Sequence, residues 1–375
     1  MNGRADDTKF DPKRPYNDLQ RLPPKASLET RRVLKRCVSA RTAVAELRIA
    51  GQSIPDQTVL INTIPLLEAR ASSEVENIVT TNDALFREAS LGGGEADAAT
   101  KEALRYRGAL YHGFQSLADR PLSTRTAIDV CSAIKGVDMQ VRRTPGTALL
   151  NAATGDIVYT PPAGEDNLDA LLTNWAEFAN GEDDLDPLVR MAALHYQFEA
   201  IHPFTDGNGR TGRILNILVL IQAGLLDSPT LYLSRYILAT RSDYYRHLQG
   251  VTIRGAWEDW IDYMIHGVEV TAKWTNAKIS AMRRLIDETS RHVRSTAPKT
   301  YSHELVQLIF RQPYCRIANL VEHGIGGREA ASKYLRALVA AGVLTEEKLG
   351  RDKVFTHRKY LDLLLSDHHD FAPYP

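Results

Sequence analysis

The sequence predicts a mainly α-helical protein with one small β-hairpin in its middle and a winged helix-turn-helix at its C-terminal end. Three observations carry that prediction. Apolar residues recur at helical spacing through most of the 375 residues, with no fixed-period repeat and no low-complexity tract. One stretch, Ala148–Pro162, instead carries β-type residues on either side of Thr154-Gly155. Past Thr300, three short helical segments are followed by two strand-like ones.

Taken in order, residues 27–49 read as one amphipathic helix with Ser27 as its cap. A second helix runs from about Pro55 to Arg70, broken or kinked near Pro65, and a third starts at Ser72 or Ser73. Gly92-Gly93-Gly94 interrupts the pattern before a helix over Ala98–Leu117. Thr144-Pro145-Gly146 opens the hairpin, and Pro161-Pro162 closes it. Asp186-Pro187 is an N-cap followed by a first-turn proline, the start of a helix over Leu188–Ile201. Another helix begins near Gly209. The C-terminal unit has helices over His303–Phe310, Arg316–Glu322 and Arg328–Ala341, then two strands within Val343–Thr356 joined at Gly350-Arg351-Asp352.

Composition excludes several classes. Forty-six basic residues balance forty-six acidic ones, so any nucleic-acid contact must be local. Three scattered cysteines, Cys37, Cys131 and Cys315, make no metal-ligand pair and suit a reducing compartment. Residues 1–25 lack the apolar core of a signal peptide, and the greasiest stretch, Ile214–Leu226, is too short to span a bilayer. These features lead us to expect a soluble cytoplasmic protein.

The chemistry concentrates in His202-Pro-Phe-Thr-Asp-Gly-Asn-Gly-Arg-Thr-Gly-Arg213. Its Gly207-x-Gly209-x-x-Gly212 spacing matches a dinucleotide loop, but that loop needs a preceding strand, and residues 188–201 have helical spacing. A Walker A reading fails because no Lys-Ser or Lys-Thr follows the glycines. What remains is a small-residue turn opening a helix, whose first N–H groups bind anions. Arg210 and Arg213 supply guanidinium forks suited to phosphate. Asp206 is a carboxylate placed to hold magnesium beside phosphates, and His202, with an ordinary pKa of roughly 6.5, can take a proton from a hydroxyl. Each residue alone has a bland explanation as a turn, a cap or a core histidine. Their concentration within twelve residues argues for a site.

This segment resembles the signature of the Fic family, His-Pro-Phe-x-Asp-Gly-Asn-Gly-Arg-x-x-Arg, at every defined position. The resemblance implies a Fic-type helical core and transfer of AMP from ATP to Ser, Thr or Tyr hydroxyls of proteins, the enzyme itself included. It also implies His202 as general base, Asp206 as the Mg2+ ligand, and Gly207, Asn208 and Gly209 as an anion hole. Arg210 would bind phosphate, Arg213 the γ-phosphate, and Thr211 and Gly212 complete the ATP-binding stretch. Phe204 would be a core anchor. The implied organisation is a helical N-terminal region over 1–100, a Fic core over 101–270, a helical connector over 271–299 and a winged-helix domain with tail over 300–375.

Upstream, Ser73 and Glu76 read as a capping box on their own. Beside the signature, Ser72-x-x-x-Glu76-Asn77 resembles the family's inhibitory motif, in which the glutamate pairs with the last signature arginine, here Arg213. The hairpin resembles the family's flap, which aligns a target chain by strand addition. Tyr232, Tyr236, Tyr244 and Tyr245 recur at roughly helical spacing. We expect Tyr245 to border the adenine, and His195 and His247 to be structural.

In the winged helix, Arg328, Lys333, Arg336, Arg351 and Lys353 offer positive charge, but Glu329, Glu346, Glu347 and Asp352 dilute it. DNA binding is therefore possible but not the favoured expectation, and a homodimer is compatible with the sequence. The competing readings are removal of AMP by the same site and a DNA-binding regulator whose core senses nucleotide.

Overall fold

The computed structural model describes residues 10–54, 56–92, 96–144, 146–151, 154–349 and 352–374. In chain order its elements are α1 (Arg31–Gln52), α2 (Thr58–Val75), α3 (Asn82–Leu91), α4 (Ala98–Ser116), α5 (Thr124–Lys135), β1 (Leu149–Leu150) and β2 (Ile157–Tyr159). There follow α6 (Glu165–Ala179), α7 (Pro187–Ile201), α8 (Asn208–Gln222), α9 (Leu233–Ala239), α10 (Arg241–Arg254) and α11 (Trp257–Thr296). The last are α12 (His303–Arg311), β3 (Tyr314–Cys315), α13 (Ile317–Glu322), α14 (Arg328–Ala340), β4 (Thr345–Leu349), β5 (Asp352–Thr356) and α15 (Arg358–Leu365). The mainly helical class and the short hairpin are as the sequence predicts. The turn at 350–351 and Gly93-Gly94 lie outside the described residues.

Two local expectations are corrected. Thr30, not Ser27, caps α1, its Oγ1 accepting the Val33 N–H at 3.3 Å. Helix α2 continues through Pro65 to Val75, so Ser72 and Ser73 lie in its last turn rather than at the start of a third helix. An interior proline costs about 3 kcal/mol. Yet Val59, Leu60, Ile64, Leu66 and Leu67 are all 2% exposed or less, and each such burial is worth roughly 1.5–3 kcal/mol. Packing wins. The residues expected as a helical connector over 271–299 are helical to Thr296, as the later part of α11.

The chain divides into two compact units, to which α1, α4, α9 and α11 contribute residues of both. The first comprises residues up to 41, 108–224 and 239–267. Its axis is α7, which Asp186 caps by accepting the Leu188 N–H at 2.9 Å. Every residue of α7 except Pro187 and Glu199 is buried, the mark of a helix surrounded on all sides. Trp175 of α6 and Trp260 of α11 donate their indole N–H groups to the carbonyls of Leu194 and Ala192, at 3.0 and 2.8 Å. Helix α8 packs on α7 and α5. Strands β1 and β2 pair antiparallel, with a register shift between Leu149 and Leu150.

The second unit comprises residues 42–107, 225–238 and 268 onward. In it, α12 packs on α2, and β3 and α15 pack on α3. The buried Glu68 carboxylate accepts the Ser234 N–H at 2.9 Å, the Tyr106 hydroxyl at 3.1 Å and the Ser234 hydroxyl. Lys278 donates to the carbonyls of Leu363, Ser366 and His368 at 2.7, 2.8 and 2.7 Å, pinning the chain beyond α15. The sheet order β3-β5-β4, antiparallel throughout, stands with α12, α13 and α14 in the layout of a winged helix-turn-helix.

Candidate active site

Helix α7 ends at Ile201, and His202 takes the left-handed conformation, φ 50° and ψ 60°. Among the described residues, only His202 and Asn77 combine a side chain with positive φ. A β-carbon there costs on the order of 1 kcal/mol, so the surroundings must hold it. Arg142 does this. Its Nε donates to the His202 carbonyl at 2.8 Å, and its Nη2 donates to the carbonyls of Ile201 at 3.1 Å and Pro162 at 2.6 Å. Its own backbone N–H donates to the Pro203 carbonyl at 2.8 Å. The cation thus satisfies the last carbonyls of α7 and sits at the negative end of its dipole. Burial lowers the guanidinium pKa from its ordinary value. Sequence reasoning missed Arg142. The neighbouring Arg143 is exposed and paired with Glu165 at 3.1 Å, and nothing in the local pattern separates the two.

The turn after His202 is closed by Asn208. Its side-chain oxygen accepts the Phe204 N–H and its amide donates to the Phe204 carbonyl, both at 2.8 Å. Phe204 is 1% exposed and lies against Phe198, with ring centroids 6.2 Å apart. Gly207 caps α8 with φ 85° and no side-chain bond. A β-carbon there would also come within 3.2 Å of the Cys131 sulfur. Glycine is required on both counts, and it leaves the start of α8 without a competing side-chain cap.

Asp206, like Thr205 beside it, is exposed in this turn. One carboxylate oxygen accepts the Gly207 N–H at 2.6 Å, and the other accepts the Lys135 ammonium of α5. Burial pushes its pKa up, but Lys135, the Gly207 N–H and the charge of Arg210 together draw it below the usual carboxylate value. Lys135 too was invisible as a site residue, because it precedes Asp206 by 71 positions.

Arg210 and Arg213 both lie buried, 2% and 1% exposed. Arg210 comes within 3.8 Å of Asp206. Thr211 is fully buried, and Gly212 faces α7, where a β-carbon would fall 2.5 Å from Glu199 Oε1 and 3.3 Å from the His195 ring. The third glycine of the spacing therefore brings two helices together. His195 is buried, bonded to the Tyr244 hydroxyl at 2.9 Å and stacked on Trp260. Burial and the charge of Arg213 pull its pKa down to about 3, so it is neutral and structural.

The tyrosine stripe is split between units: Tyr232 and Tyr236 belong to the second, Tyr244 and Tyr245 to the first. Tyr244 is buried, whereas Tyr245 on α10 is 43% exposed, its ring edge-on to Tyr244. His247 stacks on Tyr263.

The residues expected to restrain the site occupy the end of α2. Ser72 and Ser73 are buried, Glu76 is the C-cap, and Asn77 is left-handed with φ 61°. The Ile78 N–H donates to the Ser73 carbonyl and the Asn77 N–H to the Glu74 carbonyl, each at 3.0 Å, which is a Schellman closure. The capping box expected at Ser73 and Glu76 is thus replaced by a C-terminal cap. Asparagine or glycine is what its left-handed position demands.

A divalent cation bound mainly through phosphates and water takes one or two protein carboxylates. Asp206 fits that demand: it is exposed, ionised and next to a helix N-terminus. No cluster of three or more potential metal ligands occurs among the described residues, so the phosphates would have to supply the rest.

Comparison with known proteins agrees with this geometry. Residues 34–115 match the Fic/DOC family N-terminal model, 128–220 the Fic/DOC family model, and 285–360 the model of the C-terminal domain of SoFic-like protein adenylyltransferases. Protein adenylyltransferase fic-1 of Caenorhabditis briggsae is 38% identical over 92 residues, which are 24% of this chain and 17% of that protein. A probable protein adenylyltransferase of Aquifex aeolicus is 40% identical over 81 residues, 22% of this chain and 24% of its own length. The chain thus aligns with less than a quarter of either relative. In fold, it resembles a Fic family protein of Desulfovibrio desulfuricans, with a TM-score of 0.55 at 15% identity, covering 89% of this chain and 98% of that one. With its signature turn inside the matched core and its N-terminal and C-terminal regions matched as well, the chain carries the two Fic/DOC family domains and a SoFic-like C-terminal domain.

Proposed function

We propose that the protein is an adenylyltransferase that moves AMP from ATP onto Ser, Thr or Tyr hydroxyls of proteins. One observation carries the reading: His202, Asp206 and the uncapped start of α8 share a single short turn, with two buried arginines on the helix that follows. In the reaction, the hydroxyl oxygen attacks the α-phosphorus, the bond to the β-phosphate oxygen breaks, and pyrophosphate leaves. The His202 imidazole accepts the hydroxyl proton. Gly207, Asn208, Gly209, Arg210 and Arg213 hold the phosphates, with Thr211 and Gly212 behind them. Such transfer depends on positioning and charge neutralisation more than on covalent help. A magnesium ion held at Asp206 would add to that neutralisation. Tyr245 borders the adenine, and the β1–β2 hairpin guides the target chain.

Glu76 restrains this site in our reading, by pairing with Arg213 where the γ-phosphate would seat. The Schellman closure supports it by giving Glu76 a fixed place at a helix end.

The test is incubation with ATP labelled at either the α- or the γ-phosphate, using wild type, His202→Ala and Glu76→Gly. Label from the α-position alone, stronger in Glu76→Gly and absent in His202→Ala, is the expected result. Label from the γ-position would replace AMP transfer by phosphotransfer. Release of AMP from a modified protein without ATP would assign the removal reaction instead. Equal activity of Glu76→Gly and wild type would remove the restraint while leaving the transfer intact.

A further inference from the structure

We infer that the outer face of α14 is a binding surface for double-stranded DNA, independent of the chemistry at His202. Helix α14 turns Ala331, Leu335 and Leu338 inward and packs on α13 and β4. Its opposite side exposes Arg328, Glu329, Lys333 and Arg336. With Ser332 and with Ile317 of α13, these residues line a groove of about 470 Å³.

Two of the carboxylates that would argue against this face, Glu346 and Glu347, prove to be engaged elsewhere. On the wing, Glu346 is held by Lys353, and Glu347 by Arg87 at 2.7 Å. By contrast, Arg328, Lys333 and Arg336 make no hydrogen bond or ion pair with any described residue. Glu329 stands one turn before Lys333 without bonding to it. Three cations along one ridge, with a single carboxylate among them, repel one another mildly and gain most from an external polyanion.

The shape favours a duplex over an acidic protein. At 13 residues, α14 is about 20 Å long and is the second helix of the helix-turn-helix, the one that enters a major groove about 12 Å wide. A helix that docks on a protein groove presents apolar anchors at i, i+3, i+4 and i+7. Here the outward positions 329, 333, 336 and 340 are Glu, Lys, Arg and Ala. Gly327 meets nothing within 4 Å of where its β-carbon would be, so a phosphate can approach the first turn.

The experiment measures fluorescence anisotropy of a labelled 30-base-pair duplex of mixed sequence with the full chain, at about 50 to 200 mM salt. The triple variant Arg328→Ala, Lys333→Ala, Arg336→Ala is compared with a control, Arg31→Ala, Lys35→Ala, which removes two exposed cations of α1. Wild type and control should bind alike, and the triple variant at least about tenfold more weakly. The slope of log K against log salt should fall by about 2.7, three released counterions. Circular dichroism checks that all three proteins fold. Absence of duplex binding by wild type at the lowest salt overturns the inference. So does equal weakening in triple variant and control. Competition by poly-glutamate as effective as by duplex at matched charge also overturns it, and gives the face to an acidic protein.

Discussion

Arg142 Nε donates to the carbonyl of His202 at 2.8 Å, tying the proposed base to a side chain 60 positions earlier in the chain. The left-handed backbone of His202 is thereby held by a buried cation rather than by its own preference. Lysine keeps the charge but not the planar fork that reaches three carbonyls. Arg142→Lys should therefore lower kcat for AMP transfer by about 10- to 100-fold, the range that a small misplacement costs. The KM for ATP should change little, because the groups of α8 proposed to hold the phosphates are untouched. An unchanged kcat, or a loss carried wholly by KM, would show that His202 is positioned by other means.

The parts of this architecture that depend on neighbours in sequence were legible. Asp186-Pro187 announced α7, and the glycines of the His202–Arg213 run announced a turn between two helices, because caps, turns and glycines act within a few residues. Arg142 and Lys135 were not legible, since their partners lie 60 and 71 positions away. The same limit explains α2. Propensity predicts a break at Pro65, and only the packing of the flanking apolar residues reveals that the helix continues.

Gly212 separates the packing role of the signature from its ligand role. Adding a methyl group would place it 2.5 Å from Glu199 Oε1, the tip of a side chain that can swing aside, and 3.3 Å from the His195 ring, which Tyr244 and Trp260 hold in place. Overpacking of this kind costs about 1–3 kcal/mol, more than the roughly 1 kcal/mol that alanine gains over glycine within a helix. Gly212→Ala should therefore melt below wild type in calorimetry. A melting temperature equal to or above wild type would mean that α7 and α8 can separate at little cost.

Lys135 occupies one oxygen of the carboxylate assigned to magnesium. Exposed pairs of this type are worth about 0.2–1 kcal/mol, so releasing the oxygen should tighten metal binding by up to about fivefold. We expect Lys135→Met to bind Mn2+ more tightly in the presence of a non-hydrolysable ATP analogue, read by electron paramagnetic resonance. Weaker binding would instead make Lys135 a phosphate ligand that helps to assemble the site.

Asp262 of α11 ties α1 to α11 within the first unit, accepting Arg32 at 2.8 Å and Arg36 at 3.0 Å. Burial pushes its carboxyl pKa up, but the bonds and charges of Arg36 and Arg32 more than reverse this, leaving it below the ordinary value. The folded state thus releases this proton more readily than the unfolded chain does. The associated stability is fully present above about pH 4 and is lost as pH falls through the folded-state pKa. Asp262→Asn should cost about 1–2 kcal/mol near neutral pH, the lower part of the range for a partly buried pair, because both arginines retain contact with water. Urea unfolding followed at about pH 7 and about pH 3 should show the two proteins converging at the acid end. A gap that is as wide in acid as at neutrality would assign the effect of Asp262 to packing rather than to its charge.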